Sequence, residues 1–100
     1  MLARSGSAEW LAVDFGKPSL VQSARLVWEK AFASGYSIQA SSSTTAPSDP
    51  ATVWNNVYTT TTGKGGTETV TFKGATARMF RVYCSQRYKG SRDGFSLLVV

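Results

Sequence analysis

The sequence contains no histidine and only one cysteine, Cys84. Without histidine, Ser-His-Asp catalysis and most zinc sites are excluded, and a cysteine nucleophile lacks its usual base. A single cysteine cannot form an internal disulfide, and Cys84 ends the strand-like run Phe80-Arg81-Val82-Tyr83-Cys84, where it is expected to be a small buried side chain. No convincing carboxylate pair is present either. An enzyme is therefore the least favoured class of function, and no metal ion or cofactor is expected.

Long apolar runs are also missing. No segment approaches the roughly 18 residues of a membrane span, and Met1–Arg4 lacks the basic segment and apolar run of a signal peptide. The chain is therefore expected either to stay inside a cell or, as the favoured interpretation, to be a piece of a longer protein. The glycine-rich turn at 61–66 lacks the Gly-Lys-Ser/Thr ending of a phosphate-binding loop, which excludes a nucleotide site.

What is present is typical of one β-rich domain spanning residues 1–100. Apolar residues make up 42% of the chain and charged residues 17%, and no segment has a sustained helical period. Short β-like segments separated by turn signals predict an antiparallel sandwich or barrel. The predicted strands are Trp10–Phe15, Arg25–Glu29, Tyr36–Ser41, Thr52–Thr60, Thr67–Phe72, Ala77–Ser85 and Phe95–Val100.

The residues between and within these strands give further expectations. Residues 1–8 are small and polar and are expected to be a loose lead-in, while Gly16–Ser19 and Lys73–Thr76 are predicted to be turns. In the first predicted strand, Leu11, Val13 and Phe15 form an apolar face that should point into the core. The three tryptophans, Trp10, Trp28 and Trp54, are each expected to pack in the core.

The net charge of +5 is unevenly distributed. Basic and acidic residues balance over residues 1–60, so residues 61–100 carry the whole excess. Such a surface could attract anionic glycans, phospholipid headgroups or nucleic acid, or it could serve only solubility.

The stretch Arg25–Ser41 consists of two predicted strands around a loop that carries Glu29, Lys30 and Phe32. A carboxylate, an ammonium group and an aromatic ring on one loop could bind a ligand that is polar at its edges and apolar on one face. The same residues could equally form a solvated hairpin end. From these residues alone the second interpretation is favoured.

Several motifs in order give a more specific indication. They are Trp10-Leu11-Ala12-Val13-Asp14-Phe15-Gly16, Leu26-Val27-Trp28-Glu29, Tyr36-Ser37-Ile38-Gln39, Trp54 to Tyr58, Ala77-Arg78-Met79-Phe80-Arg81-Val82 and Gly94-Phe95-Ser96-Leu97. Together they resemble the discoidin, or coagulation factor V/VIII C-type, domain over nearly the whole chain. Trp28-Glu29 and Gly65-Gly66-Thr67 are most similar to family 32 carbohydrate-binding modules of bacterial secreted enzymes. The resemblance implies a discoidin-like jelly-roll β-sandwich that binds a glycan or polysaccharide through its end loops and has no catalytic activity.

The resemblance also implies a ligand site. It places Glu29 and the loop Gln86–Asp93 near the ligand, with Arg87, Tyr88 and Asp93 as candidates. An aromatic ring can cover the apolar face of a pyranose while charged side chains bind its hydroxyls, and Tyr88 or Phe32 could supply that ring. Many relatives have a tyrosine where this chain has Asp93, so this loop departs from the family pattern at that position.

Two departures from the family pattern lead to further expectations. The chain starts after the usual first strand and calcium-holding loop, and it ends in Leu98-Val99-Val100, where relatives often carry a glutamate. No structural calcium is therefore expected. A missing strand should leave a sheet edge open, which predicts a homo-oligomer. The expected partner is a glycan, with neither nucleic acid nor a membrane span, and the expected location is extracellular, as part of a larger secreted bacterial protein.

Two other functions stay open at this point. The first is phospholipid binding, as in other discoidin relatives. That role needs apolar residues at the loop tips, and only Phe32 and Tyr88 qualify here. A liposome pull-down would distinguish phospholipid binding from glycan binding. The second is a structural or assembly domain without a sugar site. An amino sugar is also compatible with Glu29 and Asp93, whereas the basic second half favours an anionic glycan.

Overall fold

The protein is described here by a computed structural model that covers residues 2–4, 10–28, 33–87 and 97–99. Every regular element in these ranges is a strand, and all strand pairs are antiparallel, which confirms the all-β prediction. The strands are β1 (Leu2–Arg4), β2 (Trp10–Trp28), β3 (Ala33–Ser41), β4 (Asn55–Thr60), β5 (Thr67–Arg87) and β6 (Leu97–Val99). The described residues form no helix that could span a membrane.

The two long strands, β2 and β5, pair with each other along most of their length and are interrupted at the same level. The register shifts between Asp14 and Ser19, where residues 15–18 bulge out of the ladder opposite Arg78. A second shift lies between Val21 and Ser23. Bulges of this kind bend a strand and increase its twist. Each long strand therefore contributes one half to each of two layers.

The first layer contains β1, residues 10–14 of β2, residues 79–87 of β5, β3 and β4. The second contains residues 19–28 of β2, residues 67–77 of β5 and β6. The main core lies between the layers, because Leu26, Trp28 and Val70 from the second layer form one buried cluster with Tyr36, Ile38 and Val82 from the first. This is the predicted β-sandwich.

The alternating patterns predict some strands well. In β3, Tyr36, Ile38 and Ala40 are buried, as the alternation of Tyr36–Ser41 indicated. In β5, Val70 is buried while the threonines at 67, 69 and 71 are exposed. Both segments have one apolar and one polar face, so the period of two residues identifies the buried face directly.

The two predicted turns at Gly16–Ser19 and Lys73–Thr76 are wrong, because both segments continue β2 and β5. Gly16 does adopt a positive φ of 74°. A glycine or proline is suited to a bulge as well as to a turn, and here these residues bend the strands instead of ending them.

The predicted core face of the first strand is right in direction, because Leu11 and Val13 pair with the core residues Val82 and Phe80 and so share their side of the sheet. Trp10 and Ala12 are buried, with 4% and 0% exposure, whereas Phe15 is 46% exposed and Leu11 and Val13 are half-buried. The loop at 42–54 passes over the Trp10 side of the sheet and covers it. On the core side, Leu11, Val13 and Phe15 line an open apolar cleft of about 450 Å³ that Ile38 and Val82 also line, so their burial is incomplete.

Several strand boundaries differ from those expected. Leu2–Arg4, assigned to a loose lead-in, forms β1 and pairs with residues 11–13. β3 begins at Ala33, so Gly35 lies within a strand and not in the preceding loop. β4 begins at Asn55, which leaves Trp54 outside it. Trp10 and Trp28 are buried as predicted, whereas Trp54 is half-buried.

A charge pair stabilises the bend between the layers. The Nε and Nη2 atoms of Arg78 donate to the two carboxylate oxygens of Asp14, each over 3.2 Å. The backbone N–H of Gly16 donates to Asp14 Oδ1 over 2.8 Å. The Gly16 amide, and after it the Arg78 guanidinium, holds the pKa of Asp14 below its usual value. The carboxylate therefore links the two long strands at the point where they leave the first layer.

We expect Asp14→Asn to lower the melting temperature at pH 7. Since folding depresses the pKa of Asp14, its carboxylate contributes stability above the unfolded-state pKa of about 3.9, and this contribution is lost as pH falls through the folded-state value. Thermal unfolding should therefore show a difference between the variant and the wild type at pH 7 that shrinks below about pH 4. An equal difference at pH 7 and pH 3 would contradict this role.

Candidate functional site

The described strands that flank the predicted ligand loops end together at one end of the sandwich. Ala33, the first residue of β3, pairs with Arg87, the last residue of β5. Trp28, the last residue of β2, pairs with Leu97 in β6. The strand ends that bound residues 29–32 and residues 88–96 therefore all lie at this same end of the sandwich. We call this end, formed by Trp28, Ala33, Arg87, Leu97 and the turn at 61–66, the loop end.

The glycine-rich turn at 61–66 fixes the strands of the loop end. The N–H of Trp28 donates to the carbonyl of Gly66 over 2.7 Å, and the N–H of Gly63 donates to the carbonyl of Ser34 over 2.8 Å. Gly65 and Gly66 have φ values of 74° and 64°, a region that favours glycine. The predicted turn is confirmed here, and its backbone holds the strands on both sides of residues 29–32.

Buried side chains form a rigid base under the loop end. The rings of Trp28 and Tyr36 lie 5.6 Å apart, and both side chains are almost fully buried. Tyr36 donates its hydroxyl to Glu68 Oε2 over 3.3 Å. Burial, followed by the negative charge of Glu68, raises the pKa of Tyr36 far above its usual value. The phenol therefore stays neutral and keeps its proton for this hydrogen bond.

The structure does not test the predicted ligand residues themselves. Glu29, Phe32, Tyr88 and Asp93 lie outside the described residues, and Arg87 is described only through its backbone as the end of β5. Two of the flanking strand ends, Ala33 and Arg87, are directly paired. The roles of these five residues therefore stay predictions.

Sequence reasoning missed a second feature, on the outer face of the first layer. The guanidinium carbon of Arg81 lies 4.1 Å from the ring centroid of Trp54, 4.9 Å from that of Tyr83 and 5.7 Å from that of Trp10. Its Nε donates to Gln39 Oε1 over 2.7 Å. Arg81 and Tyr83 share one strand face, which the alternation indicates. The contact with Trp54 depends on the path of the intervening loop, and no local sequence signal predicts that path.

Comparison with known proteins places this arrangement in a family. A family model for NedA-like, galactose-binding domains of the F5/F8 type C group matches residues 3–82. The chain belongs to this family. The resemblance to discoidin or factor V/VIII C-type domains is thereby confirmed. No curated protein matches the sequence significantly.

Two solved relatives of this galactose-binding-like domain come from one enzyme, a chitosanase/glucanase from Paenibacillus sp. IK-5. Chitosan-binding module 1 is 38% identical with a TM-score of 0.77, and the match covers 96% of this chain and 69% of that one. Chitosan-binding module 2, solved with chitotriose, is 34% identical with a TM-score of 0.76, covering 97% and 72%. Both matches span nearly all of this chain.

A third solved structure is the family 32 carbohydrate-binding module of AlyQ in complex with 4,5-unsaturated mannuronic acid. It is 22% identical, with a TM-score of 0.62, and the match covers 98% of this chain and 70% of that one. At this identity the likeness shows the shared fold, which is the predicted jelly-roll sandwich.

Gly66 offers a test of how the turn fixes the loop end of this galactose-binding-like domain. A Cβ atom added to Gly66 meets nothing within 4 Å, so the cost of Gly66→Ala comes from the left-handed backbone alone. We expect a loss of about 1–2 kcal/mol in the free energy of unfolding, measured by urea denaturation. Lys64→Ala, at an exposed position in the same turn, is the control. Equal stability of the two variants would show that the turn relaxes without strain.

Proposed function

We infer that this chain is a non-catalytic carbohydrate-binding module. The observation that carries this conclusion is its 34–38% identity, over nearly its whole length, to two modules that bind chitosan. The family match over residues 3–82 agrees with it. The sandwich supplies a stable frame, and its strand ends present loops together at one end, as a binding module requires.

We propose that the glycan binds at the loop end through Glu29 and Tyr88, with Phe32, Arg87 and Asp93 as further candidates. The base formed by Trp28, Tyr36 and Glu68 supports this position, since rigid supporting residues reduce the entropy lost on binding. A carboxylate and an aromatic ring are suited to the hydroxyl edge and the apolar face of a pyranose.

An amino sugar is the ligand class we propose for this site. The solved relatives bind chitosan and chitotriose, whose amino groups carry positive charge when protonated. A carboxylate such as Glu29 would form a charge-assisted hydrogen bond with an ammonium group. The net charge of +5 opposes a cationic polymer at long range, but salt screens that repulsion beyond about 8–10 Å. Charges in direct contact therefore decide the preference.

A glycan array that includes chitosan oligomers, probed with the wild type, Glu29→Ala and Glu29→Gln, tests this proposal. We expect the wild type to bind amino-sugar oligomers and Glu29→Ala to lose about tenfold or more in affinity, since a charge-assisted hydrogen bond is removed. Glu29→Gln separates the charge from the hydrogen bond. It should bind neutral sugars as the wild type does and bind amino sugars weakly.

Lys73→Ala, an exposed substitution on β5, is the control and should bind as the wild type does. Binding that survives Glu29→Ala would contradict the assignment of Glu29. A folded wild-type chain that bound no glycan on the array would contradict carbohydrate binding itself and favour an assembly role.

We propose that the module acts within a larger secreted bacterial protein. The chitosan-binding relatives are parts of a chitosanase/glucanase, so the corresponding role here would be to hold an attached enzyme on its polysaccharide. Multivalent attachment raises the effective concentration of the catalytic partner near its substrate without any new contact to the reacting bond.

Homo-oligomerisation through a sheet edge stays a prediction of its own. Within the part of the chain that the structure describes, β4 pairs only with β3, so the outer edge of β4 has unpaired backbone groups. Edges of this kind pair readily with a second chain. Light scattering at several protein concentrations should give a mass above that of one 10.8 kDa chain. A monomer at all concentrations would contradict it.

A further inference from the structure

The outer face of the first layer contains a cleft of about 320 Å³ between the sheet and the loop at 42–54. This volume is at the lower end of the range for small-molecule sites. Its walls are aromatic, proline and polar side chains: Trp10, Pro47, Ser48, Asp49, Thr52, Trp54 and Arg81 among them. We call it the Arg81 cleft.

The guanidinium of Arg81 lacks a counter-charge in the described part of the chain. Three aromatic rings surround it, and its Nε donates to Gln39, but none of its nitrogens pairs with a described carboxylate within 4.0 Å. Burial lowers the pKa of Arg81, which reflects the loss of hydration around its charge. The N–H groups on its two terminal nitrogens lie in the plane of the guanidinium and donate to none of the described residues.

The loop that forms the other wall is held by its own hydrogen bonds. The N–H of Asp49 and the hydroxyl of Thr52 both donate to the carbonyl of Ala46, over 3.0 and 2.6 Å. The N–H of Thr52 donates to the carbonyl of Asp49 over 3.0 Å, and the N–H of Val53 donates to Ser43 Oγ over 3.1 Å. Such a loop is ordered before any ligand arrives, which lowers the entropic cost of binding.

We propose that the Arg81 cleft binds the carboxylate-bearing ring of an acidic saccharide, a hexuronate, as a second site separate from the loop end. The guanidinium binds the carboxylate through its two terminal amino groups, a geometry for which arginine is better suited than lysine. Trp54 and the two prolines supply apolar surface for the sugar ring. The choice of a saccharide rests on the proposed carbohydrate-binding function; the location and the charge rest on the cleft.

The negative charge of Asp49 allows a further test of the proposal. Its Oδ1 accepts the N–H of Ala51 over 2.9 Å, and its carboxylate stands at the rim of the same cleft. This negative charge opposes a bound carboxylate. Asp49→Asn should therefore tighten the binding of a uronate by about two- to fivefold at low salt and leave a neutral sugar unaffected.

Tryptophan side chains can report separately on binding at the Arg81 cleft and at the loop end. Trp10 and Trp54 line the Arg81 cleft, whereas Trp28 lies at the loop end, so three indole N–H signals in ¹H–¹⁵N NMR spectra distinguish them. Titration with trigalacturonic acid should shift the indole signals of Trp54 and Trp10. Titration with chitotriose should instead shift that of Trp28. Trp54→Phe assigns its own signal.

Two variants with a matched control test the contacts. Arg81→Gln should weaken trigalacturonic acid binding about tenfold or more, since both charge-assisted hydrogen bonds are lost. Because Arg81 is packed against three rings, Arg81→Gln also removes packing contacts, so Ser48→Phe is the second variant. Ser48 is exposed on the rim, so a phenyl ring there blocks the cleft without disturbing the core. Thr44→Phe, exposed in the same loop and away from the cleft, should bind as the wild type does.

The outcomes separate this proposal from that for the loop end. Glu29→Ala should leave the trigalacturonic acid shifts unchanged. Shifts of Trp28 alone, no shift at all, or full binding by Ser48→Phe would each overturn the Arg81 cleft as a uronate site. A neutral galactose trisaccharide that shifts Trp54 as strongly as the acid does would overturn the role of the charge. Failure of chitotriose to bind would count against the proposed amino-sugar site at the loop end and not against the Arg81 cleft.

Discussion

The pairing of β2 with β5 is the constraint on which the rest of the structure depends. Each strand is too long to lie in one layer of so small a domain, and both bend at the same level, where Arg78 binds Asp14. Because the strands remain paired on both sides of the bend, folding one ladder creates both layers and encloses the core between Leu26 and Ile38. The charge pair does not provide the driving force, which comes from apolar burial. The charge pair determines where the paired strands β2 and β5 bend.

That bend also determines where the strands of the loop end meet. When both long strands turn back on themselves, their two ends return to the same side, so Trp28 and Arg87 finish close to the start of β3. The glycine-rich turn then joins these ends by backbone hydrogen bonds that no side chain needs to supply. The loop sequences can therefore vary in their side chains while the frame that carries them stays the same.

The sequence predicted this frame where each strand has one polar and one apolar face, as Tyr36–Ser41 and Thr67–Phe72 do. At Trp10–Phe15 the direction of the apolar face was predicted, but not the burial of the opposite face, which depends on a loop more than thirty residues away that covers Trp10. The prediction failed at Gly16–Ser19, since a bulge and a turn use the same residue types. The family resemblance correctly indicated the jelly-roll fold because six ordered motifs carry more information than local propensity. One of those motifs contains Glu29 but gives no geometry for it, and Tyr88 lies in a loop outside the motifs.

Arg81 illustrates why a motif can name a residue and still conceal its environment. Within the run from Ala77 to Val82 it is one polar residue in an alternating strand, and its neighbours along the strand explain only the contact with Tyr83. The stack on Trp54 and the hydrogen bond to Gln39 arise from two other segments that the fold brings across the sheet. Among the described residues, this cation is desolvated by such rings and hydrogen-bonded through one nitrogen. It keeps its preference for an anion, because stacking uses the faces of the guanidinium and not its edge. If Glu29 and Arg81 act as proposed, the same domain presents a carboxylate at its loop end and a cation on its outer face, and so distinguishes two charged sugars by location.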